Sequence, residues 1–182
     1  LGLCRIELKQ HDRAIAALRS LLRDEPNYAG ADKARYQLAW ALKLSGKDDE
    51  AAKAFEDLAT AHSESPLAPE ARHNVGEHAY QNKDYTAAAR AYYEVVQKSD
   101  GTPLGEKATY KLGWCYYHLG NYANAQKTFG YQVKRYPDGP LAGDARFMDA
   151  ECLFRQDKFA EALAAYEGQE SYSSRDFEML AL

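Results

Sequence analysis

The sequence predicts an all-α chain assembled as an array of antiparallel helix pairs, and three observations carry that prediction. Five small residues, Gly2, Ala39, Gly76, Gly113 and Ala150, stand 37 positions apart without slippage. Other columns keep the same register. Ala14, Ala51, Ala88, Ala125 and Ala162 form one; Leu18, Phe55, Tyr92, Phe129 and Tyr166 form a second that is always large and apolar; Ala34, Ala71, Ala108 and Ala145 form a third, followed two residues later by Tyr36, His73, Tyr110 and Phe147. Finally, Pro66, Pro103 and Pro140, each followed by leucine, punctuate successive linkers. Independent columns that agree on one period are the signature of a repeat array, in which each unit buries its apolar face against its neighbours.

In chain order, residues 1–26 read as a truncated unit, 29–65, 66–102, 103–139 and 140–173 as full units, and 174–182 as the start of another, the whole forming one array. Residues 1–9 read as half of a first helix. Within 103–139, Tyr110, Leu112, Gly113, Cys115, Tyr116, Tyr117 and Leu119 recur at helical spacing until Gly120 stops the run. Asn121 then opens a second helix through Tyr122, Ala125, Phe129 and Val133 that ends near Tyr136 and Pro137. So short a turn forces the two helices antiparallel. The same pair is expected over 34–44 with 49–60, 71–81 with 85–97, and 145–155 with 159–167, separated by linkers such as 63–70 and 137–144. The small columns imply close helix approach, with Gly113 facing Ala125 inside a pair and Phe129 filling the gap toward the next pair.

Composition narrows the function. A net charge of −4, with 23 basic residues scattered along the chain, lacks the basic stripe of a nucleic-acid binder. No stretch approaches the roughly 20 apolar residues a membrane span needs, so direct membrane insertion is not expected. Because Leu1 falls inside a helix in this register, the chain reads as an excised piece of a larger protein, and the lack of a signal peptide says nothing of compartment. Cys4, Cys115 and Cys152 share one column, as small buried hydrophobes do, and reduced thiols are expected there. No Cys/His cluster has metal-ligand spacing, and no cofactor is expected.

The string from Ala108 to Ala125, ATYKLGWCYYHLGNYANA, with Phe129 and Pro137, resembles the tetratricopeptide repeat, and the likeness extends over essentially the whole chain. The usual period of that family is about 34 residues, so the three extra residues fall at the end of the second helix or in the linker. The family's early tryptophan is replaced by Arg35, Arg72, Thr109 and Arg146. The long unit with its Pro-Leu-Ala start is similar to bacterial envelope members, the TolA-binding coordinator of the Tol-Pal system and the lipoprotein of the outer-membrane assembly machinery. That likeness points to the periplasm or cell envelope, with the cytoplasm as the alternative compartment.

The resemblance implies a right-handed superhelical solenoid whose first helices line a concave groove. One stripe of each first helix then faces the groove: Lys33, Tyr36, Trp40 and Lys43; Glu70, His73, Glu77 and Tyr80; Lys107, Tyr110, Trp114 and Tyr117; Asp144, Phe147, Glu151 and Phe154. The tyrosines and phenylalanines of this stripe also read as scaffold. Trp40 and Trp114 stand apart, 74 residues from each other, with the leading charges alternating in step. Such a surface suits a peptide or protein segment with apolar anchors flanked by both charge signs. The family's carboxylate clamp, which grips acidic chaperone tails, is matched only in part by Asn74, Lys107 and Lys111. Tyr36 and Trp40 stand where that clamp has lysine and asparagine.

Enzyme chemistry is not expected. His11, His62, His73, His78 and His118 have no repeated acidic or nucleophilic partner at catalytic spacing, and Cys115, at i, i+3 with His118 but on the packing face of its helix, reads as an inert core thiol. The reading is a non-catalytic interaction scaffold. The alternative is a structural spacer or self-association module, in which uncapped ends pair copies of the chain.

Overall fold

The computed structural model describes residues 10–25 and 28–168. Gly2, Cys4 and the further unit expected from residue 174 lie outside them. All the regular structure among the described residues is α-helical. Two compact bodies divide the chain, Leu1–Lys83 and Asp84–Leu182. The division falls inside the expected 66–102 unit.

The first body holds α1 (His11–Asp24), α2 (Ala31–Leu44), α3 (Asp48–Ala61) and α4 (Ala68–Gln81), each packed on the next. Ala14, Ile15 and Leu18 of α1 bury against Ala34, Leu38, Ala41 and Leu42 of α2, and Phe55, Leu58 and Ala59 of α3 meet Ala68 and Ala71 of α4. The second body holds α5 (Tyr85–Ser99), α6 (Pro103–His118), α7 (Tyr122–Arg135), α8 (Ala142–Phe154) and α9 (Phe159–Glu167), again in consecutive contact. Here Phe129 and Ala125 of α7 pack with Ala145, Met148 and Cys152 of α8.

The repeat columns behave as their chemistry demands. Ala14, Ala51, Ala88, Ala125 and Ala162 are all buried, as are Leu18, Phe55, Tyr92 and Phe129, and Cys115 and Cys152 are buried free thiols. The contact expected between Gly113 and Ala125 differs in detail. A Cβ at Gly113 would lie 2.6 Å from Phe129 Cε1, so the glycine makes room for the aromatic ring of its own partner helix. Phe129 therefore fills space inside the pair as well as toward α8.

First helices start earlier than expected, α2 at Ala31, α6 at Pro103 and α8 at Ala142. Pro103 at the first position of α6 and Pro69 at the second of α4 belong to the helices, because proline is pre-organised for the first turn, where its missing N–H costs nothing, whereas Pro66 and Pro140 stay in the linkers. At α6 the Thr102 side chain also caps by accepting from Gly105 N, as Asp84 and Asn121 do for α5 and α7. The turns repeat as well. Gly46, Lys83, Gly120 and Asp157 occupy one 37-residue column and all have φ near +60° to +71°. A Cβ at Gly46 or Gly120 would meet nothing within 4 Å, so the left-handed backbone, not crowding, selects glycine there.

Candidate functional site

Each body presents one version of the same surface, built by two successive first helices. In the first body these are α2 and α4, in the second α6 and α8.

On α2, Trp40 is half-buried with its ring edge-on to Phe55 at 5.7 Å and to Tyr36 at 6.1 Å. Phe55 reaches this spot because the column to which it belongs packs through the pair into the core. The remaining surface of Trp40 is covered from one side by Lys43, whose Nζ lies 5.1 Å from the ring centroid and donates to Asn74 Oδ1 at 2.8 Å. Tyr36 donates its hydroxyl to Glu70 of α4 at 2.6 Å, and burial together with that acceptor pushes the phenol up to about 12. The tyrosine is therefore a permanent donor that ties α2 to α4.

α6 and α8 repeat this arrangement 74 residues later. Trp114 sits edge-on to Phe129 at 6.2 Å and to Tyr110 at 6.3 Å, and Tyr110 donates to Asp144 at 3.4 Å. Burial pushes the Tyr110 phenol to about 12. Tyr117, in the place of Lys43, packs on Trp114 at 5.6 Å and donates to Glu151 at 3.1 Å. Glu151 also accepts from Arg155 Nε at 2.7 Å and from the Tyr166 hydroxyl at 3.0 Å. Although burial alone would raise it, these donors hold its carboxyl below the ordinary range.

The stripe residues thus divide by what they touch. Tyr36, Tyr110 and Tyr117 bond acids one first helix further on, and Glu151 is a junction for three donors. His73 and Glu77 approach each other at 3.9 Å on α4, with Tyr80 half-buried in the last turn of that helix. Phe147 packs on Tyr166 at 5.6 Å, and Phe154, 49% exposed, on Phe159 at 5.4 Å. Lys33 and Lys107 extend into solvent at the leading edge of each surface. Asn74, part of the incomplete clamp pattern, is buried and engaged, accepting from Lys43 and donating to Glu70 O at 3.0 Å.

Sequence reasoning did not single out Tyr166 as a partner of Glu151, nor the tyrosine-to-acid ties. A signal for the ties was present, since Tyr36 with Glu70, Tyr110 with Asp144 and Tyr117 with Glu151 are all 34 residues apart. Among the described residues no group of three or more His, Cys, Asp or Glu side chains could hold a metal ion, and no helix is long and apolar enough to cross a membrane.

Two tetratricopeptide repeat models match the chain, over residues 36–103 and 1–28, and a model of anaphase-promoting complex, cyclosome, subunit 3 matches residues 101–169. No curated protein sequence matches. The fold is similar to that of MamA, with a TM-score of 0.72 at 18% identity over 92% of this chain and 85% of that one. Residues 41 to the end of MamA from Desulfovibrio magneticus RS-1 give 0.66 at 17% identity, over 93% and 89% of the two chains. The apo form of RapI gives 0.71 at 14% identity, over 92% of this chain and 50% of that one. The all-α solenoid construction, the repeat columns and the matching family models together show that this chain belongs to the tetratricopeptide repeat family.

Proposed function

We propose that the chain is a non-catalytic interaction scaffold that holds a partner protein segment on its first-helix surfaces, α2 with α4 and α6 with α8. One observation carries the reading. Trp40 and Trp114 are held rigidly by edge-on aromatic neighbours and yet remain half-exposed, each about two helical turns along from a solvent-facing lysine, Lys33 or Lys107. A large side chain that is already ordered loses little entropy on binding, and tryptophan is the residue most enriched among binding hot spots. The tyrosine-to-acid ties supply the rigid frame around it. Glu77 contributes negative charge to one surface, while Glu151 acts through the frame. The likeness of the long unit to envelope members supports a periplasmic or envelope setting in bacteria.

The test is retention of partners from the native host extract. A Trp40→Ala/Trp114→Ala double variant of unchanged helicity is expected to lose a partner that the unaltered chain holds. Equal recovery by both would move the function away from these surfaces.

A second reading, self-association, is favoured by Phe154, Phe159 and Leu163, which are 49%, 55% and 58% exposed on α8 and α9. Sedimentation of the chain against a Phe159→Ser/Leu163→Ser variant distinguishes it. A concentration-dependent dimer lost in the variant is expected if this face pairs copies, and identical monomers would end the idea.

A further inference from the structure

The arginine column has one gap, and the gap coincides with a groove in the second body. Arg35, Arg72 and Arg146 recur at 37-residue spacing with Thr109 between the last two. Each arginine reaches an acceptor on the element before it or across from it. Arg35 Nε bonds His62 at 3.2 Å, Arg72 pairs with Glu56, and Arg146 bonds Pro137 O at 3.2 Å. The long stem of Arg72, only 16% exposed, fills the space between α3 and α4. Thr109 cannot do this. Its hydroxyl turns back to Gly105 O at 2.8 Å, and Tyr93 stands in the column of Glu56. A groove of about 450 Å³ remains, lined by residues of α5, α6 and α7.

Its lining combines an apolar floor with aromatic walls. Leu112, Val96 and Thr109 form a buried floor, and Tyr93 and Tyr131, 52% and 41% exposed, form the walls. The volume falls within the range of ligand-binding clefts, and the groove is open to solvent between the two rings. The Tyr131 ring is fixed because its hydroxyl donates to Asp100 at 2.7 Å, and Asp100 also accepts from Arg135 Nε at 3.0 Å. Those donors hold the Asp100 carboxyl below its ordinary range and leave it little pull on an incoming cation. Lys127, by contrast, forms no ion pair, and the Gln97 side chain no hydrogen bond, with any described residue. The free charge of the groove is positive.

We propose that this groove is a second binding site, which takes an aromatic side chain adjoining a carboxylate, as on an acidic segment of a partner protein. The ring enters between Tyr93 and Tyr131 over Leu112, and the carboxylate meets Lys127 and Gln97. The site lies on a different face of α6 from Tyr110, Trp114 and Tyr117, so it is independent of the surface proposed above.

The test uses isotope-labelled full chain and N-acetyltryptophan, which carries an aromatic ring beside a carboxylate, with N-acetyltryptophanamide as its uncharged analogue. Saturating amide shifts at Gln97, Leu112, Lys127 and Thr128 are expected with the acid. Lys127→Gln should weaken the acid about two- to fivefold, as loss of an exposed ion pair does, and leave the amide analogue unaffected. Thr109→Arg restores the residue of the other units and should abolish the shifts with helicity intact; Tyr93→Ala should weaken binding without filling the groove. Shifts confined to the Trp40 and Trp114 surfaces, no shifts at all, or unchanged binding by Thr109→Arg and Tyr93→Ala would each overturn the proposal.

Discussion

Replacing Gln132 with leucine should make this protein more stable. Gln132 lies in the last turn of α7, is 0% exposed, and has no hydrogen-bond partner at either Oε1 or Nε2 among the described residues. The equivalent positions in the two preceding units are Leu58 and Val95, both 0% exposed. A buried amide without partners costs about 1–3 kcal/mol. Leucine removes that cost and adds apolar burial, and an imperfect fit of the new branch returns up to about 1.5 kcal/mol. The net expectation is stabilisation by about 1–3 kcal/mol. For a chain of this size each kcal/mol raises Tm by roughly 2–4 °C, so a shift of about 4–8 °C is central. Thermal and urea unfolding followed by far-UV circular dichroism would measure it, with amide exchange to show that the gain is local to α7 and α8, as a repeat array predicts. The converse, Leu58→Gln, should cost about 2–4 kcal/mol by losing a packed side chain and burying an unpaired amide. A lower or unchanged midpoint for Gln132→Leu would refute the reasoning and show that the amide is held by partners.

Lys83→Gly should stabilise by about 0.5–1 kcal/mol, because lysine at φ +61 bears a left-handed penalty of roughly 1–2 kcal/mol that exceeds the entropy cost of glycine; a midpoint below that of the unaltered chain would count against it. Asp149 takes the column of Leu38, Val75 and Leu112, and burial pushes its carboxyl up. Because the folded value lies above the unfolded one, its contribution is most favourable below the ordinary carboxylate range and is lost as pH rises through the folded value. Asp149→Leu should therefore stabilise at neutral pH and gain less in acid, and a pH-independent difference in unfolding midpoint would show that the carboxyl is not perturbed.

Much of the fold was legible in the sequence because the repeat imposes the same packing problem several times. Ala88 or Phe129 alone is ambiguous, but five alanines and five large apolar residues in fixed register leave one solution, a helix pair with a tight contact and an aromatic wedge. The string from Ala108 to Ala125 resembled the tetratricopeptide repeat, and that resemblance pointed to Trp40 and Trp114. Helix starts were not legible, since Pro103 and Ala142 look like linker until the first turn forms around them. Nor were the ties: Tyr36 and Glu70, or Glu151 with Tyr117, Arg155 and Tyr166, meet only when one first helix is laid beside the next.

The sequence by itself determined the periodic part of this protein, the helices, their pairing and their buried columns, because those depend on contacts repeated at one spacing. Only the tertiary structure decided the exceptions. Thr109 in an arginine column opens a groove, Gln132 in an apolar column buries an amide, and Glu70, Asp144 and Glu151 of the charged stripe accept hydrogen bonds from tyrosines of the preceding first helix. Each depends on what stands across from the residue, and that distance is set by packing between helices, not by position along the chain.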